Sequence, residues 1–162
     1  MIDVLIDLRA ADKASLLAAL ARHAAAHTGL DATGLRQLLL AREALGSTGV
    51  GNGIALPHAR AAMAGMYRCF ARLDRPVGFD AIDGAPVDLV FLQISPVDDP
   101  ASHLAGLAAA SRRLRDRVVA QAIRGATEAA QIAALLGWGQ GNRTSESRQE
   151  PVEVSVVPSG SL

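Results

Sequence analysis

The chain has one cysteine, Cys69, one lysine, Lys13, and only 3% aromatic residues among its 162. A lone cysteine excludes an intrachain disulfide and fits a reducing compartment. So few aromatic rings leave a base-stacking platform for single strands poorly supplied. Neither charge sign is in excess: 16 Lys and Arg balance 16 Asp and Glu. The basic surplus of an electrostatic nucleic-acid binder is therefore lacking, and no nucleic-acid partner is expected. Long apolar runs are lacking too, because Arg, Asp or His interrupts every candidate for a bilayer span. Asp3 and Asp7 stand where a secretion signal needs a basic start. The expectation is a soluble, cytoplasmic protein without membrane insertion.

Half the residues are hydrophobic and 20% are charged, enough for one packed core. The length suits a single domain with a short tail. Asp12 is a good N-cap for a helix through Leu16, Leu17, Leu20 and Ala24, and Gly29 is a natural stop. A second helix starts at Asp31, carries Leu35, Leu38 and Leu39 on its apolar stripe, and ends at Gly46. Ile54, Ala55 and Leu56 form a short strand before Pro57. Tyr67, Cys69, Ala71 and Leu73 alternate with Arg68 and Arg72, which predicts a strand with one wet face. Asp83 and Gly84 mark a turn, and the nearly continuous apolar run 87–94 reads as a strand covered on both faces. Helical patterns follow at 101–114, 116–124 and 127–136. Helices before and after a set of strands argue for an α/β sandwich over residues 1–138. From residue 139 to 162 the composition turns to Gly, Ser, Gln, Glu and Pro, which reads as a disordered tail. Val152, Val154 and Val156 leave a strand added to a sheet edge as the alternative.

The oddest stretch is Gly46-Ser47-Thr48-Gly49-Val50-Gly51-Asn52-Gly53. A P-loop is excluded, since Lys13 is the only lysine. A dinucleotide fingerprint is excluded as well, because these glycines follow a helix and open a strand instead of the reverse. Two readings remain: a turn that redirects the chain, or an anion cradle. The cradle would be made of the Ser47 and Thr48 hydroxyls and the N–H groups of Gly49, Gly51 and Gly53. His58, just past a strand end and the rigid Pro57, is fixed where a mobile loop would leave an imidazole loose. His103 falls in the first turn of the helix after Pro100, on the stripe of Leu107 and Leu114, and should face inward as a neutral ring. A satisfied core histidine is the plainer alternative there. Arg42 stands on the apolar stripe of its helix one turn before the glycines, either snorkelling at the rim or aimed at an anion. Together these residues point to phosphoryl chemistry on an imidazole.

Other features are weaker. His23 and His27 share a helix face and the spacing of a metal chelate, but the His-Glu-x-x-His pattern is absent and no third ligand is evident. No metal and no cofactor is expected. Arg112, Arg113, Arg115 and Arg117 form a basic cluster, read as a solvated helix junction with a docking patch as the alternative. Cys69 is expected to be simply packed.

The run from Arg42 through Glu43, Ala44, Leu45 and the glycine stretch to Ile54-Ala55-Leu56-Pro57-His58 closely resembles a known signature. It is that of phosphotransferase-system IIA domains of the mannitol/fructose type, and most resembles the nitrogen-regulatory IIA branch. The likeness continues through 78–84, 86–91 and Ser102-His103-Leu104, and covers roughly residues 1–138. The resemblance implies a single domain with a mixed β-sheet flanked by helices on both faces. It implies that His58 is the phosphoryl acceptor and His103 the second active-site histidine, with Arg42, Ser47 and Thr48 lining the site. It implies a phosphocarrier that takes its phosphoryl group from an HPr-like phosphohistidine carrier, with no metal or nucleotide bound. In the nitrogen branch the outcome is regulation of target proteins by phosphorylation state; in the sugar branch the group passes to a IIB domain. Two departures stand out: Ala59 replaces the glycine common after the active histidine, and the 139–162 segment has no counterpart.

Overall fold

Aspartates open most of the helices. Asp12 accepts the Ser15 N–H at 2.8 Å and starts α1 (Lys13–Thr28), which Gly29 closes in a left-handed turn. Asp31 accepts the Gly34 N–H at 2.7 Å and starts α2 (Ala32–Ala44). Asp99 caps α3 (Pro100–Arg115), whose first position is proline, and Asp116 caps α4 (Arg117–Gly125). The last helix is α5 (Ala129–Leu136). This computed structural model describes residues 1–138, so the expected tail at 139–162 lies outside the described residues.

The strands are β1 (Asp3–Leu8), β2 (Gly49–Gly51), β3 (Ile54–Ala55), β4 (His58–Ala61), β5 (Tyr67–Val77) and β6 (Val87–Pro96). They form one mixed sheet in the order β1-β5-β6-β3-β2. β1–β5 and β3–β6 are parallel pairs, while β5–β6 and β2–β3 are antiparallel. β4 also runs parallel to β6, with His58 opposite Gln93 and Arg60 opposite Ser95. The Pro57 carbonyl accepts the Gln93 N–H at 3.2 Å, so β3 and β4 are two segments along one side of β6.

Side-chain alternation on β6 explains its apolar run. Val90, Leu92 and Ile94 pack with Leu16, Leu17 and Leu20 of α1 and Leu35 and Leu39 of α2. Leu89 and Phe91 face the other way, onto Leu114 of α3, Ile123 of α4 and Ile132 of α5. Helices therefore cover both faces of the sheet, and each face has its own core.

Three details differ from the sequence reading. β1 and β4 were not anticipated, because both take their identity from parallel partners distant in sequence. The second face of β5 is not wet: Phe70 is fully buried there. Its neighbour on that face, Arg72, caps α4 by donating to the carbonyls of Ile123 at 3.0 Å and Ala126 at 2.6 Å. On α2, Leu35 and Leu39 are buried while Leu38 stays partly exposed, at the rim of the cleft described next.

Candidate active site

Beyond the β3/β4 break, α2, the start of β4 and the start of α3 line a cleft of about 650 Å³. Arg42, His58, Arg60 and His103 supply its polar groups, and Leu38, Leu45, Val97 and Leu104 its apolar rim.

His58 is held from both sides of its ring. Its Nδ1 lies 2.8 Å from the Leu56 carbonyl oxygen and so carries the proton it donates. Nε2 is then the bare nitrogen, and it accepts a hydrogen bond from Arg42 Nε at 3.1 Å. Arg42 is itself braced by donating through NH1 to the Gly46 carbonyl at 2.9 Å. Burial holds the His58 pKa below the usual 6.5, opposed by the Leu56 hydrogen bond and reinforced by the Arg42 charge. The neutral ring with a free Nε2 is a competent nucleophile.

His103 is buried, edge-on to His58 with ring centroids 5.2 Å apart. Its Nδ1 is 2.6 Å from Ser95 Oγ. Ser95 is fully buried and accepts from Gln93 Nε2 at 3.3 Å, which leaves its own proton for His103 Nδ1. The network thus assigns the His103 proton to Nε2, as a donor. Burial lowers the His103 pKa, with the His58 and Arg60 charges adding to it, so this ring too stays neutral near pH 7. The expected neutrality of His103 therefore has burial as its leading cause, with the helix N-terminus not needed to explain it.

The structure brings Arg42, His58 and His103 together and gives the glycine stretch another task. Ser47 Oγ donates to the Phe79 carbonyl at 2.7 Å, and the Thr48 hydroxyl and N–H are both bonded to the Glu43 carboxylate. Lys13 Nζ pairs with that same carboxylate at 2.8 Å. Gly49 belongs to β2, against which Ala81 packs so tightly that a Cβ would sit 2.7 Å from it. Asn52 and Gly53, with φ of 55° and 77°, are the two turn residues of the β2–β3 hairpin. A Cβ on Gly53 would lie 2.6 Å from Asp88 Oδ1. None of Ser47, Thr48, Gly49, Gly51 and Gly53 lines the cleft. The anion-cradle reading is corrected at its hydroxyls: Ser47 and Thr48 are committed to Phe79 and Glu43, and the stretch folds as a tight hairpin outside the cleft. The Asn-Gly pair was the available signal for it.

Sequence reasoning missed Arg60, Gln93 and Ser95. Arg60 follows His58 by two along β4 and so shares its face of the strand, and Ser95 and Gln93 are the cross-strand neighbours of this pair. Only the β4–β6 register reveals that grouping. Gly106, one turn beyond His103, lets α3 approach so closely that a Cβ there would overlap Gln93 Oε1. Elsewhere, the arginine cluster is exposed at the α3–α4 junction, and Arg113 donates to the Leu135 carbonyl at 2.7 Å. Cys69 is fully buried, and burial pushes its thiol up to about 12, which makes it unreactive. Asp3 comes up against His23 and His27, a third side chain with a ligand atom that the sequence did not reveal.

Among the described residues no helix is long and apolar enough to cross a membrane. The family profile described as phosphoenolpyruvate-dependent sugar phosphotransferase system, EIIA 2, matches residues 2–137. A nitrogen regulatory protein of Bradyrhizobium diazoefficiens is 41% identical over 134 residues, covering 82% of this chain and 88% of that protein. The crystal structure of nitrogen regulatory protein IIA-Ntr from Neisseria meningitidis superposes with a TM-score of 0.80 at 30% identity, over 82% of this chain and 92% of that one. Enzyme IIAMTL of Escherichia coli, solved in complex with phosphorylated enzyme IIBMTL, shares the fold with a TM-score of 0.71 at 18% identity, over 85% and 99% of the two chains. With the profile spanning nearly every described residue, the chain belongs to the EIIA type 2 family of the phosphoenolpyruvate-dependent phosphotransferase system.

Proposed function

We propose that this protein is a phosphocarrier of the nitrogen-regulatory branch, which accepts a phosphoryl group on His58 Nε2 and regulates partners by its phosphorylation state. The observation that carries the reading is the pinned His58 ring, with Nδ1 protonated against Leu56 and Nε2 bare in the cleft. The donor is an HPr-like phosphohistidine carrier. Its N–P bond breaks as the Nε2–P bond forms, and the electron pair stays on the donor imidazole. Such a transfer passes through a loose transition state, so positioning and charge stabilisation matter more than a strong base. Arg42 turns its N–H from Nε2 to a phosphoryl oxygen, and Arg60 and the His103 Nε2–H supply further positive potential and a donor. The Nδ1–H bond to Leu56 stabilises the positive charge that develops on the ring. Phosphorylation then adds roughly −1.5 to −2 charges at an open cleft rimmed by exposed Leu45 and Leu104, where a partner reads it.

The test is incubation with the phosphorylated carrier, followed by mass mapping under conditions that preserve phosphohistidine. Label is expected on His58 alone; label on His103, or label undiminished in His58→Ala, defeats the assignment. Capture experiments with both forms then separate the branches. A partner held by one form only supports regulation, whereas onward transfer to a IIB domain supports the sugar-uptake role.

A further inference from the structure

Away from the cleft, three side chains with ligand atoms converge beside the first strand. His23 and His27 lie one turn apart on α1, and Asp3 is the first residue of β1. His23 Nε2 and His27 Nε2 are each 3.5 Å from Asp3 Oδ2, and the three ligand atoms all lie within 4.8 Å of one another.

A simple ion pair accounts poorly for this arrangement. His27 Nδ1 is 2.8 Å from the His23 carbonyl oxygen and donates to it, so a neutral His27 turns a bare Nε2 toward a carboxylate oxygen. His23 Nε2 is shut away from solvent and has no hydrogen-bond partner among the described residues. The His27 lone pair aimed at the carboxylate repels it, and His23 Nε2 stays without a hydrogen bond beside it. A cation between the three atoms resolves both conflicts.

The two nitrogen-to-oxygen separations of 3.5 Å suit one. Zinc bonded tetrahedrally at about 2.0–2.2 Å holds its ligand atoms about 3.3–3.5 Å apart. The supporting contacts are also those of a metal site. The His27 Nδ1–H bond to a backbone carbonyl fixes the tautomer that leaves Nε2 free, and Tyr67 Oη donates to Asp3 Oδ2 at 2.8 Å. Two imidazoles and one carboxylate are a borderline donor set, fit for a divalent transition ion and not for calcium or magnesium.

We propose that Asp3, His23 and His27 bind a divalent transition-metal ion, zinc being the probe, with a fourth position open to water on the exposed side of His27. The ion clasps the start of β1 to the last turns of α1. This site is independent of His58 and of the function proposed above.

The experiment titrates the full, metal-stripped chain with zinc, and separately with cobalt(II). One equivalent of zinc is expected to bind, shifting the ring proton resonances of His23 and His27 while those of His58 and His103 stay unmoved. Cobalt is expected to give the intense visible bands of tetrahedral coordination. His27→Ala and Asp3→Asn are expected to lose binding, Tyr67→Phe to weaken it about ten- to a hundredfold, and His58→Ala to retain it. The resonance shifts are read on the unaltered chain, so a variant that fails to fold does not remove the test. No binding by that chain, shifts at His58 and His103 instead, or full binding by folded His27→Ala overturns the proposal.

Discussion

A histidine that accepts a phosphoryl group must keep one ring nitrogen bare at working pH, and the surroundings of His58 act in that direction. Burial opposes the charged ring first, and the Arg42 guanidinium adds to it, against the Leu56 hydrogen bond and the Glu43 charge. A nuclear magnetic resonance titration is expected to give His58 a midpoint below 6.5. Phosphoryl acceptance should therefore persist to lower pH than a free imidazole would allow, with its half-loss below pH 6.5. The same shift bears on stability. At and below pH 6.5 the unfolded chain takes up protons that folded His58 and His103 refuse, so their contribution is present above 6.5 and lost as pH falls through their folded pKa values. Arg42→Ala separates charge from burial. Its His58 midpoint is expected to rise toward 6.5, and its transfer rate to drop about a hundredfold, the loss typical of removing one charge-stabilising donor. An unchanged midpoint would show that Arg42 does not act on the ring; an unchanged rate would reject its part in the transfer.

Element-scale features separate what the sequence revealed from what it concealed. The helices were legible because their signals are local: Asp12, Asp31 and Asp116 at the starts, Gly29 at a stop, and leucines at helical spacing. Arg42 and His103 could be singled out for the same reason, as polar residues on apolar stripes, and His58 as a ring behind Pro57. β1 and β4 were concealed because only pairing with β5 and β6 makes them strands. Arg60, Gln93 and Ser95 fell with β4, since their neighbourhood exists only through that register. The glycine run was ambiguous because glycine serves a hairpin and an anion cradle equally well, and only the commitment of Ser47 and Thr48 to Phe79 and Glu43 decides it. Gly106 was likewise silent in the sequence. In an open helix, alanine would be favoured over glycine by about 1 kcal/mol. Here the added methyl meets the side chain of Gln93, which is fully buried and bonded to the His103 carbonyl at 2.8 Å. The clash should win. Gly106→Ala is expected to lose about 1–3 kcal/mol in urea unfolding and to slow phosphoryl transfer by moving His103. A more stable variant would show that α3 has room to spare.

For the whole molecule, the sheet works as a partition between two cores. One is closed by α1 and α2, the other by α3, α4 and α5, and the cleft opens between α2 and α3 at the start of β4. The core under α3–α5 ends with Ile132 and Leu136, and the Trp138 ring stands 5.0 Å from that of fully buried Phe91. Among the described residues, both cores are built around large side chains removed from water. Phe79 and the α1 leucines fill one; Phe70, Phe91 and Leu89 fill the other. The Gly137 turn, with φ of 73°, ends α5 in the left-handed cap that commonly closes a helix. The sequence beyond it carries no helical apolar period. A chain ending at Gly141 keeps every described residue of both cores, the cap and Trp138. It is expected to melt in a single cooperative transition at the midpoint of the full chain, and to accept phosphate on His58 at the full-length rate. Loss of that transition would place part of the fold in residues 142–162. A normal transition with slowed transfer would instead make those residues part of the docking surface for the donor carrier.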